Sequence, residues 1–170
     1  MPMLLSFSGL PGVGKSTIAR QLAMETGALW LWVDEIEVAM RASHMEIGDL
    51  VDGGYAAAQA VANRALMQGY DVIGDCVNPL RITRDGWAHV ARNAEAEFHQ
   101  ISLVCSDATE HKKRVESRVV SLDGWQAPTW IEVNQWNFEP FENENEVILD
   151  TCKLSVDEAV SILSKQFGRA

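Results

Sequence analysis

Residues Gly9, Leu10, Pro11, Gly12, Val13, Gly14, Lys15, Ser16 and Thr17 are the part of this chain whose types and spacing most plainly suit a chemical task. They fit the pattern G-x-x-x-x-G-K-S/T, the phosphate loop. Glycines let the backbone curl until successive N–H groups face inward, and a helix starting at the loop turns its positive end to the same point. Lys15 then reaches the β- and γ-phosphates, and the Ser16 hydroxyl can ligate Mg²⁺. The flanks suit this reading. Met3 to Phe7 is an apolar run that reads as a short buried strand. Ser16 to Thr26 carries Ile18, Ala19, Leu22 and Ala23 on one helical stripe, with Gly27 as its C-cap. Glycine-rich turns also join strands to helices that bind nothing, but here strand, loop, Lys-Ser pair and helix stand in register. The expected ligands are a nucleoside triphosphate, taken as ATP, and Mg²⁺.

Two acids follow apolar runs that read as strands. Asp75 closes Asp71 to Asp75, where a phosphate-loop protein places the carboxylate that holds Mg²⁺ or its waters. Asp34 follows Leu29 to Val33, at the end of a strand expected beside the one that delivers the loop. A carboxylate there can accept the proton of an attacking hydroxyl and hold it in line with the γ-phosphate. For both acids the alternative is a helix or turn cap, and Glu35 and Glu37 read as solvated helix positions. Arg114 and Arg118 are spaced i, i+4 on an expected helix, where they would clamp the triphosphate or stack on the base, or else form a charged face with Glu110 and Glu116. Arg81 and Arg84, at the start of the helix after Asp75, are candidate contacts to a phosphate or an anionic substrate. The four histidines show no ligand spacing. Trp125, Trp130 and Trp136 are candidates to cover a ligand.

These residues need a scaffold, and the hydrophobic pattern describes one. Strand signals at Met3–Phe7, Leu29–Val33, Tyr70–Gly74, Phe98–Cys105 and Glu146–Asp150 alternate with helix signals over about 34–41, 50–68, 79–96, 107–120 and 155–167. Residues Ala127 to Asn145 read as irregular, Trp-rich and acidic. Alternating strands and helices predict a parallel sheet covered on both faces, with ligands at the carboxyl ends of its strands.

Bulk properties narrow the partners. The chain's 170 residues suit one domain. A nucleic-acid partner demands a basic face, whereas 14 Lys+Arg stand against 24 Asp+Glu for a net charge of −10. Cys76, Cys105 and Cys152 form no C-x-x-C pair and read as free thiols of a reducing compartment. No leader or membrane-spanning stretch is read, so the expectation is a soluble, cytoplasmic protein, monomer or weak dimer.

Several marks fall together: Gly9 to Thr17, Asp34, Asp75 to Asn78 with Arg81, Arg84 and Trp87, Arg114 and Arg118, Pro128 to Trp130, and Ile148 to Thr151. In these the chain resembles the small P-loop kinases of bacteria, relatives of zeta toxin, chloramphenicol phosphotransferase, gluconate kinase and the 5′-hydroxyl polynucleotide kinases. The resemblance implies an α/β, three-layer P-loop NTPase fold with a five-stranded parallel sheet, like a nucleoside-monophosphate kinase. It implies one domain over 1–170, with acceptor-side helices at about 34–68 and a lid-like region at about 108–143. It also implies Asp34 as catalytic base and lid arginines, Arg114 and Arg118, on ATP. Several relatives carry Asp-x-x-Arg after strand two, where this chain has Asp34-Glu35-Ile36-Glu37. An acid in place of that arginine favours a neutral or cationic hydroxyl compound over an anionic one. The expected function is therefore ATP-dependent phosphorylation of a small-molecule hydroxyl. The alternatives are a polynucleotide or nucleotide kinase, a regulatory ATPase without acceptor, and a toxin of the zeta kind.

Overall fold

The computed structural model describes residues 1–44, 49–119, 126–139 and 146–168. Five strands, β1 (Met3–Ser8), β2 (Leu29–Trp32), β3 (Val72–Asp75), β4 (Glu97–Val104) and β5 (Val147–Asp150), form one sheet in the order β2-β3-β1-β4-β5. Every pairing is parallel, which makes this an α/β fold built on a five-stranded parallel sheet. Helices α1 (Lys15–Thr26) and α2 (Val33–Arg41) flank β2, and α3 (Gly53–Met67) leads to β3. Then α4 (Arg81–Asn93) leads to β4, α5 (Ala108–Ser117) and α6 (Trp130–Gln135) precede β5, and α7 (Val156–Phe167) closes the chain.

The alternation along β1 explains the three layers. Met3, Leu5 and Phe7 enter one core with Ile18 and Leu22 of α1 and Leu163 of α7. Leu4 enters the other, with Ala58, Ala62 and Leu66 of α3 and Trp87 and Val90 of α4. Trp87 is fully buried against Gly74, where an added Cβ would stand 2.9 Å from its ring. The glycine in β3 is thus the space the indole occupies.

Several sequence expectations are corrected. The strand order puts β3, not β2, beside β1, so Asp34 does not follow a strand adjacent to the phosphate-loop strand. Val33 begins α2 instead of ending β2. The helix expected from Leu50 starts at Gly53, because Val51 adopts a left-handed φ of 47° and is exposed. Within the stretch read as irregular, Trp130–Gln135 is helical, set by a capping box between Thr129 and Glu132. Helix α5 ends at Ser117, so Arg118 is its extended C-cap residue and not a second arginine on one helical face. Trp125 and parts of the expected lid, 120–125 and 140–143, lie outside the described residues. Among the described residues no helix is long and apolar enough to cross a membrane.

Candidate active site

The loop between β1 and α1 is shaped by its neighbours as much as by its own glycines. Gly9 has a φ of 141°, and an added Cβ there would run into the Leu103 carbonyl of β4. Gly12 has a φ of 86°, and its Cβ would stand 2.6 Å from the Val115 side chain of α5. The Gly9 N–H donates to the Val77 carbonyl at 3.1 Å. Asn78, buried and in the left-handed region, donates through Nδ2 to the Phe7 carbonyl at 3.0 Å and to Ser6 Oγ at 3.1 Å. From the other side, buried His111 of α5 places Nε2 2.8 Å from the Pro11 carbonyl, so that nitrogen carries the proton and donates. Its ring meets Trp130 of α6 edge-on, with centroids 5.2 Å apart.

Inside this cradle Lys15 is buried, and its ammonium donates to the Leu10 carbonyl at 3.1 Å. Burial holds its pKa below the ordinary value, with Asp75 and then Asp34 opposing the shift. Asp75 ends β3 and is buried; burial raises its pKa, while the Lys15 ammonium, the Ser16 hydroxyl and the Trp30 indole pull it down. One carboxylate oxygen accepts from the Trp30 indole N–H at 3.2 Å. The other, Oδ1, is buried with no hydrogen-bond partner among the described residues. An orphaned buried carboxylate oxygen close to a loop hydroxyl is the donor set that a hard cation takes, so Asp75 and Ser16 fit Mg²⁺. Neither acid is a cap: α4 is capped at Leu80 and α2 at Trp32, leaving Asp34 in the first turn of α2.

Of the cavities that open on this centre, two include Lys15. The larger, of about 490 Å³, is lined by Gly12 to Ile18 apart from Val13, by Arg114, Ser117, Arg118 and Val119, and by Thr151 and Leu154 to Val156. The smaller, of about 230 Å³, is lined by Asp34, Glu37, Asp75, Trp32, Trp136 and Arg118, together with Lys15 and Ser16. Lys15, Ser16 and Arg118 belong to both. Arg114 is held at the wall of the larger cavity: Nε donates to Glu110 at 2.8 Å, and the other nitrogens donate to Thr151 Oγ1 at 2.9 Å and its carbonyl at 3.2 Å.

The structure therefore brings together the loop residues, Lys15, Ser16, Asp34, Asp75, Arg114 and Arg118. Arg81 and Arg84 do not join them. Arg81 lies on the surface, 3.6 Å from Asp85. Arg84 is buried, and its guanidinium donates to the Asn78 carbonyl at 3.0 Å and the Pro79 carbonyl at 3.3 Å, so it shapes the turn behind Asp75. Glu37, read from sequence as solvated, lines the smaller cavity with its pKa raised by burial and then by Asp34. Its spacing three residues beyond Asp34 on a helix was the available signal. His111 and Trp30 carried none, because their roles depend on partners distant in sequence; Thr151 stood only within the mark Ile148 to Thr151.

Residues 4–129 match the family model described as AAA domain. No functionally curated protein matches the chain in sequence. Among solved structures, an unliganded sugar kinase from Janibacter sp. HTCC2649 superposes with a TM-score of 0.70 at 18% identity, covering 97% of this chain and 94% of that one. An APS kinase from Mycobacterium tuberculosis, in complex with AMPPNP and APS, superposes at 0.65 with 17% identity over 96% of each chain. Kti12 from Chaetomium thermophilum, in complex with ADP-AlF3, superposes at 0.64 with 17% identity, covering 98% of this chain and all of that one.

Proposed function

The chain belongs to this AAA domain family, and on that premise we propose that it is an ATP-dependent kinase that transfers the γ-phosphoryl group to a hydroxyl of a small molecule. The observation that carries this reading is the pair of cavities joined at Lys15, Ser16 and Arg118. A nucleotide site alone needs one cavity; a transferase needs a second, opening on the γ-phosphate. ATP occupies the larger cavity, its phosphates in the loop and its outer part toward Thr151 to Val156. The acceptor occupies the smaller one.

The acceptor oxygen attacks the γ-phosphorus while the bond from that phosphorus to the β-bridging oxygen breaks, its electron pair leaving on ADP. The acceptor's proton passes to the Asp34 carboxylate, which lines the acceptor cavity. Lys15 is already desolvated and needs no reorganisation to offset charge on the transferring group. Arg118, common to both cavities, neutralises the same oxygens from the opposite wall. Arg114 acts from a fixed position set by Glu110 and Thr151. Ser16 and Asp75 would hold Mg²⁺, which supplies charge neutralisation at the β- and γ-phosphates. The net charge of −10 sets a polynucleotide acceptor apart from this reading.

Asp34→Asn tests the assignment. Asparagine keeps the size and removes the proton acceptor, so calorimetry should find ATP affinity unchanged. Product mass should show transfer falling by ~10²–10⁴. Full transfer in this variant would remove the base role from Asp34, and no transfer to any hydroxyl in the parent would leave a nucleotide binder.

A further inference from the structure

We propose that the acceptor of this kinase is an organic cation: a small hydroxyl compound whose ammonium group seats between Glu37 and the faces of Trp32 and Trp136. This deepens the kinase reading and rests on it. The argument begins with the charges that line the smaller cavity. Its cations are Lys15 and Arg118, and both also line the nucleotide cavity, where the triphosphate answers them. Asp75 is taken by Lys15, Trp30 and the metal-binding role assigned above. What faces the acceptor is then Asp34 and Glu37. Neither carboxylate has a hydrogen bond or an ion pair within 4 Å among the described residues; the cation that acts on Glu37 is Arg41, at the outer end of α2.

The position of Glu37 is built. It lies against Gly54 of α3, where any Cβ would collide with the Glu37 Cγ. The buried glycine makes room for the side chain and restricts it to the cavity wall. A half-buried carboxylate without a partner is costly unless a ligand completes it. The rest of the wall matches a cation as well. Trp32, which stacks one face on Trp30 with ring centroids 5.7 Å apart, and Trp136 both line the cavity, and an open indole face attracts organic cations. At about 230 Å³ the cavity falls below the 300–1,000 Å³ of drug-sized ligand sites, so the acceptor is small. An anionic acceptor would meet two carboxylates of its own sign.

Two measurements on the full chain test this. The first titrates tryptophan fluorescence at constant ionic strength with choline and with its uncharged isostere 3,3-dimethyl-1-butanol. Choline should bind at least ~10-fold more tightly, and Glu37→Gln should erase that preference, since the quaternary ammonium has no N–H and its preference rests on charge attraction to the carboxylate, about 10–100-fold. The second compares kcat/KM with Mg·ATP for glucosamine, glucose, N-acetylglucosamine, gluconate, ethanolamine and ethylene glycol. The amines should lead their neutral twins and gluconate should be poorest, with the order reversed in Glu37→Arg. Equal binding of choline and its isostere, or preferred phosphorylation of a neutral or anionic twin, overturns the inference while leaving the kinase reading in place. Selective choline binding that depends on Glu37, with no phosphorylation of any hydroxyl, supports the cation site and refutes the kinase reading instead.

Discussion

Lys15 and Asp75 are both buried and each moves the other's pKa, which makes a double-mutant cycle the sharpest test of the centre. Lys15→Met leaves the Asp75 carboxylate buried with the Trp30 indole and Ser16 hydroxyl but without its nearest cation. Asp75→Asn leaves an ammonium in the loop with one carbonyl, from Leu10, and the more distant Asp34. Breaking a buried, contacting pair costs about 3–5 kcal/mol, whereas replacing both members is often neutral. Because no ion pair within 4 Å joins these two among the described residues, we expect each single variant to lose about 1–3 kcal/mol. The double variant should lose less than either, for a coupling of similar size. The pH dependence has a definite sign. Burial raises the folded-state pKa of Asp75 above its unfolded value. Its penalty is therefore absent at low pH and grows as pH rises through the folded value. Removing Lys15 raises that value further, so Lys15→Met should recover stability on acidification relative to the parent. Urea unfolding at pH 5 and pH 8 in low salt measures all of this. Strict additivity at pH 8, with the double variant losing the sum of the singles, would refute the coupling and the charge arrangement with it.

Three further outcomes are expected. Asp75→Asn should raise the Mg²⁺ concentration needed for half-maximal transfer while far-ultraviolet dichroism stays native; an unchanged metal titration would remove Asp75 from the metal site. Hydrogen exchange with a non-hydrolysable ATP analogue should gain protection at Arg118, Val119 and 126–139, while the amides around His111 stay protected with or without it. Glu146 is pushed up to about 7 by burial, with Arg84 opposing, and its Oε1 is buried without a partner among the described residues. Its folded pKa lies above the unfolded one, so stability falls as pH rises from about 4.5 to above 7. Glu146→Gln should flatten that dependence and raise stability at pH 8 by about 1 kcal/mol after allowance for solvent screening.

What the sequence made legible was local. The phosphate loop, its strand and its helix depend on neighbours within some twenty residues, and the strand–helix alternation followed from period alone. Strand order did not, because pairing β3 with β1 joins Phe7 to Asp75 across most of the N-terminal half. The misreading of Arg84 has a physical reason: an arginine is expected at the surface, and its bonds to the carbonyls of Asn78 and Pro79 are partners that the sequence does not announce. Helix α6 escaped notice although Thr129 and Glu132 spell a capping box, since six residues carry too little apolar stripe to register. Glu37 was visible as a departure in the motif but not as a wall of the cavity, because the room it occupies is made by Gly54 on another helix.

The bracing of the phosphate loop constrains how the site can close. Helix α5 holds the loop twice, through the bond of His111 to the Pro11 carbonyl and through Val115 packed over Gly12. It is also fastened to the end of β5 by Arg114 on Thr151. A cover that carried α5 with it would have to break a buried hydrogen bond and uncover the loop it is meant to enclose. Helix α5 therefore belongs to the fixed frame of the site, and it stops at Ser117, with Arg118 extended. Arg114 then belongs to the fixed frame of the nucleotide cavity, while Arg118 stands beyond the end of the helix. Arg118 lines both cavities, so in the transfer proposed above its guanidinium would face nucleotide and acceptor together. An arginine shared by two ligand cavities would be enclosed from water only with both ligands bound, which would limit transfer to water.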